Sequence, residues 1–317
     1  MKCNKRIALT GATGFLGSAL LDELDANNVV VFGRSKPNGF NGSYVKFDAT
    51  TLVDHVASLQ GIDVLIHCAA RAHIMTDHET DPLEAYRAVN TKSALALARQ
   101  AAASGVKRFI FISSIKVNGE TTTGRRPYLA EDASKPGDSY GLSKAEAEAG
   151  LQEISEETGM DVVIIRPPLI YGPGVKANFY NLLKISHTKL PLPFACVNNK
   201  RSMVYLGNLV EFIILCIDHP HAANQTFLVS DGEDLSLRSL VVCIRLSMGR
   251  NPLLLPVPLM FFKLAGKLAG KEEVVDRLIG DLQVDSSKAS ELLDWTPPYN
   301  VEQGIQITVD DFLKRKN

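Results

Sequence analysis

Cysteine is scarce and badly spaced for chemistry. The 317 residues hold five, at Cys3, Cys68, Cys196, Cys216 and Cys243, with no CxxC pair and no histidine pattern nearby. Such spacing supports neither a disulfide frame nor a metal site, and the five read as reduced, mostly buried thiols of a cytoplasmic protein. An excess of one charge is missing too. Against 34 Lys and Arg stand 35 Asp and Glu, a formal charge of −1, which gives no electrostatic reason to expect nucleic acid or an anionic membrane as partner. No long apolar run is present. The most apolar stretch, 253–262, contains Pro256 and Pro258 and is stopped by Lys263; it is too short to span a bilayer, so no integral membrane segment is expected. It is predicted to be buried or to face a partner, with a loose membrane contact as the alternative. The N-terminus runs straight toward a strand, so no signal peptide is expected. Internal repeats and low-complexity segments are also absent.

What is present begins at Ile7-Ala8-Leu9-Thr10-Gly11-Ala12-Thr13-Gly14-Phe15-Leu16-Gly17. A short apolar run ends at Gly11, and a helical pattern (Leu16, Ala19, Leu20, Leu24) starts inside the glycine cluster, which reads as strand, tight turn and helix N-terminus. Gly11 allows the sharp turn, Gly14 lets the backbone approach a bound group, and Gly17 lets helix pack on strand. The helix's unpaired N–H groups and positive dipole end then suit a pyrophosphate. A plain strand–helix turn would share the glycines, but its place at the head of a βα series favours dinucleotide binding.

The first half alternates strand and helix. Strands are predicted at 29–32, 45–48, 64–70, 109–114 and 162–165, with helices over 90–103 and 139–157. Unbroken apolar strands of this kind are buried on both faces, so the expected fold is α/β, a Rossmann-like doubly wound parallel sheet. Beyond Arg166 prolines accumulate and strands become rarer. This places a dinucleotide-binding domain at 1–166 and a smaller C-terminal substrate-binding lobe at 167–317, some of whose segments return to the first domain.

Ser139-Tyr140-Gly141-Leu142-Ser143-Lys144 forms the second constellation. At i and i+4 of a helix, Tyr140 and Lys144 share a face. An ammonium beside a phenol is expected to lower the phenol pKa from about 10 toward the working pH, fitting Tyr140 for proton exchange. A half-buried Tyr covered by a Lys stem would look the same. Ser113-Ser114 strengthen the catalytic reading, because they close a strand, and ligands of open parallel sheets gather at the carboxyl edge.

These residues, with HCAA at 67–70, Asn90, FISS at 111–114 and IIRPPLIYGPG at 164–174, resemble the extended short-chain dehydrogenase/reductases. The branch is the NAD-dependent epimerase/dehydratase family, which contains UDP-glucose 4-epimerase and related nucleotide-sugar enzymes. The likeness covers nearly the whole chain, through Arg201-Ser202-Met203-Val204 and Asp285-Ser286-Ser287-Lys288 to Trp295-Thr296-Pro297. It implies that Ser114 bonds the reacting sugar oxygen, Tyr140 is the acid/base, and Lys144 also holds the nicotinamide ribose. It further implies a cofactor lined by Gly11, Thr13, Gly14, Phe15, Leu16, Gly17, Arg34, Asp48, Ala49, Ala69, Ala70, Asn90, Ser113 and Pro167. Asn178 and Arg201 match positions that hold the nucleoside diphosphate of the substrate, a role that suits the fork of an arginine, and Arg277 is the candidate for its C-terminal contact. The family commonly pairs the two alanine-rich helices, 90–103 and 139–157, into a four-helix interface, so a homodimer is expected.

Departures from the family narrow the reading. Its 4,6-dehydratases carry an acidic pair just after the active-site hydroxyl, where this chain has Ile115 and Lys116, so dehydration is not expected. The second strand ends in Gly33-Arg34-Ser35-Lys36, with no acid to bond ribose hydroxyls and a guanidinium where a 2′-phosphate would lie. Arg34 as a solvated loop charge is the alternative. Leu169 replaces a common substrate-binding Asn, and Arg277 is spaced differently from the family pattern. His67 lies in an apolar strand and reads as a core histidine; His73 and His78 flank the expected site; Trp295 reads as packing. The resemblance implies an enzyme acting at C4 of a UDP-linked hexose or N-acetylhexosamine. The Arg34 tip leans toward NADP(H) and a 4-keto reductase, resembling those that make UDP-N-acetylquinovosamine. The alternative is a 4-epimerase with tightly held NAD(H). A non-catalytic dinucleotide sensor would leave Ser114, Tyr140 and Lys144 without a purpose.

Overall fold

The computed structural model describes residues 5–51, 53–72 and 81–316; Cys3, His73 and His78 lie outside them. Seven strands build one parallel sheet: β1 (Ile7–Thr10), β2 (Val29–Gly33), β3 (Ser43–Lys46), β4 (Val64–His67), β5 (Arg108–Ile112), β6 (Asp161–Arg166) and, from the C-terminal half, Thr226–Leu228. Between the last two in sequence come β7 (Leu169–Tyr171) and β8 (Met203–Tyr205), a separate parallel pair, so Thr226–Leu228 is β9. The strand order is β3-β2-β1-β4-β5-β6-β9. The chain leaves β1 in one direction and returns at β4 in the other, which opens the ligand crevice between their carboxyl ends.

Alternation along each strand feeds two cores. Ile7, Leu9, Val31 and Ile66 join one cluster with Leu20, Phe212 and Trp295, under the helices Phe15–Glu23, Leu206–Leu215 and Ser287–Leu293. Ala8, Val30, Phe32 and Leu65 join the other with Leu97, Phe109 and Leu151, under Ser93–Ala103 and Ser139–Thr158. Helices on both faces make the sheet doubly wound. A further core, with Tyr171, Phe179, Tyr205, Ile244, Val309 and Phe312, is built from the helices Ala177–Ser186, Leu237–Ser247 and Val301–Lys314.

Several expectations are corrected. β3 runs earlier than 45–48, and its residues are exposed or half-buried because it is a sheet edge. The helix expected from 90 begins at Pro82, capped by Asp81, and passes through a π turn over Ala88–Lys92 before resuming at Ser93. Of the described cysteines only Cys216 is fully buried; Cys68, Cys196 and Cys243 are half-buried. The 253–262 stretch, expected to be buried or to face a partner, is divided: Leu253, Leu255, Met260 and Phe261 face solvent, while Leu254 and Phe262 pack against the core. Apolar composition draws a segment inward only if another element is there to cover it.

Candidate active site

The glycine turn is shaped by close approach. Gly11 has φ +72°, and a Cβ there would lie 2.7 Å from the Ala69 nitrogen. A Cβ on Gly17 would lie 2.1 Å from the Gly11 carbonyl oxygen. Neither position accepts a side chain without moving backbone. Gly14 N–H donates to the Gly11 carbonyl at 2.8 Å, and Gly14 forms the N-cap of Phe15–Glu23 with no side-chain cap. Thr13 and Gly14 are exposed, Phe15 is half-buried and Leu16 packs inward. The bare helix end opens beside the β4 edge carrying Ala69 and Ala70. These residues fit the pyrophosphate of a dinucleotide, whose negative charge the helix N-terminus would meet.

Across the crevice, Ser114 follows β5 and Tyr140 opens the helix Ser139–Thr158. Asp138 caps that helix, its Oδ1 accepting from Gly141 N–H at 2.7 Å. The hydroxyls of Ser114 and Tyr140 are hydrogen-bonded. Lys144 is buried one turn on; its Nζ donates to the Ile112 carbonyl at 2.8 Å and lies 4.3 Å from the centre of the Phe111 ring. Serine, tyrosine and lysine thus share the carboxyl edge of the sheet.

The electrostatics correct one expectation. Burial pushes the Tyr140 phenol up to about 12, against the bond from Ser114 that lowers it. Desolvation likewise holds the Lys144 ammonium down to about 8. The expected acidification by Lys144 is absent: burial raises the phenol and Ser114 lowers it, while the Lys144 ammonium is bonded to the Ile112 carbonyl instead.

The other predicted cofactor residues divide. Asn90 is fully buried in the π turn, and its polar atoms are taken up within the protein: Oδ1 accepts from Arg71 N–H at 2.8 Å, while Nδ2 donates to the Arg71 carbonyl at 3.1 Å and to Ser143 Oγ at 3.0 Å. It ties the strand-end loop to the Tyr140 helix. Ser113 is buried, its hydroxyl donated to Glu148, which also pairs with Arg166 at 2.6 Å. Pro167 accepts Ile115 N–H through its carbonyl at 3.1 Å. Arg34 is exposed at the β2 tip, with the Asp48 carboxylate as a coulombic neighbour. Bonds from the Thr50 N–H and hydroxyl hold Asp48 below the ordinary carboxylate range; Ala49 beside it is half-buried.

Of the residues expected to hold substrate, Arg201 and Arg277 come together. Arg201 Nη1 donates to the Arg277 carbonyl at 2.7 Å and to the Gly280 carbonyl at 3.2 Å, at the end of the helix Glu272–Ile279. Burial lowers the Arg201 pKa. Asn178 is exposed in the first turn of Ala177–Ser186, and Leu169 is exposed on β7. His67 is buried between Phe109 and Phe111, its Nδ1 paired with Thr10 Oγ1 at 3.0 Å, and burial holds it down to about 3. Trp295 packs on Phe212, ring centres 4.9 Å apart.

Sequence reasoning missed a chain of charges beneath the site. Lys116 bridges Asp138 and Glu120, and Glu120 lies 3.8 Å from Arg277. Burial pushes the Asp138 carboxyl up, but its bonds to Lys116 and to Gly141 N–H outweigh this and hold it below its ordinary value. An Asp three residues before a glycine at a helix start was the available signal for that cap. For the contact of Lys116 with Asp138, 22 positions away, no local signal existed.

Comparison with known proteins agrees with this geometry. Residues 7–230 match the model of the "NAD dependent epimerase/dehydratase family". The chain is 47% identical over 323 residues to a UDP-glucose 4-epimerase of Vibrio cholerae, covering 100% of this chain and 98% of that protein. It is 29% identical to the N-acetyl-alpha-D-glucosaminyl-diphospho-ditrans,octacis-undecaprenol 4-epimerase of Escherichia coli O157:H7, over 99% and 97% of the two chains. Among solved structures, the UDP-glucuronic acid 4-epimerase of Bacillus cereus in complex with NAD superposes with a TM-score of 0.79 at 19% identity, covering 98% and 99% of the two chains. The chain therefore belongs to the NAD-dependent epimerase/dehydratase family, enzymes of the extended short-chain dehydrogenase/reductase type.

Proposed function

We propose that the protein is a 4-epimerase of a UDP-linked hexose or N-acetylhexosamine, working with a retained NAD. The observation that carries this reading is the 47% identity with a UDP-glucose 4-epimerase along the full length of both chains. Bound at the glycine turn, NAD would supply hydride transfer at C4 of the sugar. The residues of the chain supply the rest. Tyr140 accepts the proton of the C4 hydroxyl and later returns it, so no net proton is consumed, and Ser114 bonds the same oxygen. Lys144 carries positive charge below about pH 8 and is assigned to the nicotinamide ribose. Asn178, Arg201 and Arg277 are assigned to the nucleoside diphosphate, and residues 167–317 to the substrate-binding lobe. Ile115 and Lys116 after Ser114 provide no acid pair for dehydration.

A second reading, a 4-keto reductase consuming NADPH, is favoured by one observation, the exposed Arg34 at a strand tip without an acid. The Asp48 carboxylate beside it weakens that support, because an anion there opposes a 2′-phosphate. Homodimerisation through the Ser93–Ala103 and Ser139–Thr158 helices belongs to the same proposal. Within one chain the two helices pack closely, since a Cβ on Gly150 would lie 2.7 Å from Leu95 Cδ1, and it is their alanine-rich outer faces that are assigned to the second copy. A dimer by light scattering is the expected result, and a monomer at micromolar concentration would contradict it.

The test is the cofactor released on denaturing the purified protein, identified by mass, together with turnover of UDP-glucose or its N-acetyl analogue without added cofactor. Bound NAD and unaided epimerisation are expected. An empty site that takes NADPH and reduces a 4-keto sugar would overturn the reading in favour of the reductase.

A further inference from the structure

The helix Leu259–Leu268 is apolar on both sides. Its inner side is covered: Phe262 stacks on Phe194 with ring centres 6.0 Å apart, and Gly266 is buried so close to Val275 that a Cβ would lie 2.7 Å from its Cγ2. Its outer side carries Met260, Leu264 and Leu268 at i, i+4 and i+8, with Phe261 beside them, and these are 69%, 54%, 81% and 54% exposed. The preceding Leu253 and Leu255 extend the patch. That segment is pinned by its backbone, Leu192 donating to the Leu253 carbonyl at 3.2 Å and Leu255 to that of Leu192 at 2.8 Å. The apolar surface is therefore a fixed face of the fold. An exposed apolar patch of this extent marks an interaction site.

Charge identifies the occupant. Lys263 and Lys267 follow one another at i, i+4 along one edge of the stripe, and Lys271 stands just past the helix end, all three exposed. The acids Glu272, Glu273 and Asp276 sit on the next helix, Glu272–Ile279, and Glu273 lies 3.6 Å from Arg277. The Leu259–Leu268 helix itself carries Lys263 and Lys267 and no acid beside its apolar side chains, the pattern that lies in the plane of a membrane interface. The near-zero net charge of the whole chain conceals this local excess.

We propose that the Leu259–Leu268 helix docks the enzyme on an anionic bilayer surface. Met260, Phe261, Leu264 and Leu268 enter the boundary between headgroups and acyl chains, and Lys263, Lys267 and Lys271 meet lipid phosphates. The inference stands apart from the reaction assigned above.

Sedimentation of the full chain with phosphatidylcholine vesicles, with and without phosphatidylglycerol, tests this. Wild type should pellet with the anionic vesicles and be released by high salt. Lys263→Glu/Lys267→Glu should weaken binding at least about tenfold, at about 1 kcal/mol per basic residue near the surface. Leu264→Asp/Leu268→Asp should abolish it, with turnover of a soluble sugar nucleotide unchanged in both variants. Wild type that stays in the supernatant, or charge-reversed protein that binds as tightly as wild type, overturns the proposal. So does a leucine variant that keeps its vesicle binding but changes oligomeric state by light scattering, since the patch would then belong to a second copy.

Discussion

Asn90 donates from Nδ2 to Ser143 Oγ at 3.0 Å, joining residues 53 positions apart. The same side chain accepts Arg71 N–H at 2.8 Å. One buried amide therefore sets the distance between the loop after β4 and the helix that carries Tyr140. Asn90→Ala leaves the Arg71 N–H and the Ser143 hydroxyl short of a partner, which costs about 1–3 kcal/mol for a buried group. Urea unfolding should show that loss, and turnover should fall with it. An unchanged midpoint would remove Asn90 from this role.

Gly17 admits no larger residue. With a Cβ placed 2.1 Å from the Gly11 carbonyl oxygen, Gly17→Ala must displace the turn or the helix. Dinucleotide binding, read by fluorescence titration, should drop at least about tenfold, equivalent to about 1.4 kcal/mol. Wild-type affinity in a folded Gly17→Ala protein would show that the turn does not hold the cofactor.

Tyr140→Phe removes the proposed acid/base and keeps the ring against Tyr86, whose centre lies 6.0 Å away. The fold and cofactor binding should persist while kcat falls by at least about 10²-fold, the usual range for one such group. Near-normal turnover would take Tyr140 out of the mechanism.

Arg34→Ala separates the two readings of the cofactor. In the epimerase reading NAD(H) binding stays within about twofold of wild type, because an exposed guanidinium contributes little. A selective loss of NADPH binding, about 10- to 100-fold for a charge-assisted contact of about 1.5–3 kcal/mol, would restore the reductase.

Lys144 has a pH signature of its own. Its ordinary pKa of 10.5 falls to about 8 in the fold, so between these values the unfolded chain binds a proton that the folded chain does not. Stability from this group therefore rises with pH across that window. Tyr140 acts in the opposite sense, but only above about pH 10, its ordinary value. From pH 8 to 10 the urea midpoint of wild type should gain on that of Lys144→Met. A constant difference would mean that Lys144 keeps its proton in the fold.

Local features of the chain announced much of this. The glycine spacing from Gly11 to Gly17, the run of apolar strands and the four-residue step from Tyr140 to Lys144 are each contained in one turn or one element. Backbone sterics and periodicity fix such features before any distant contact forms. What joins distant segments was settled only by the tertiary structure. β9 completes the sheet 60 residues after β6 ends at Arg166, and no periodicity announces which strand a segment will pair with. Lys116 meets Asp138 across 22 positions, and Asn90 bonds Arg71 and Ser143 across 19 and 53 positions. Burial, a property of the assembled fold, drives Tyr140 up and Lys144 down where chain proximity suggested an acidified phenol. The same reason accounts for the bare stripe on Leu259–Leu268. Composition made it apolar, and only the packing of its neighbours decided which side would be left uncovered.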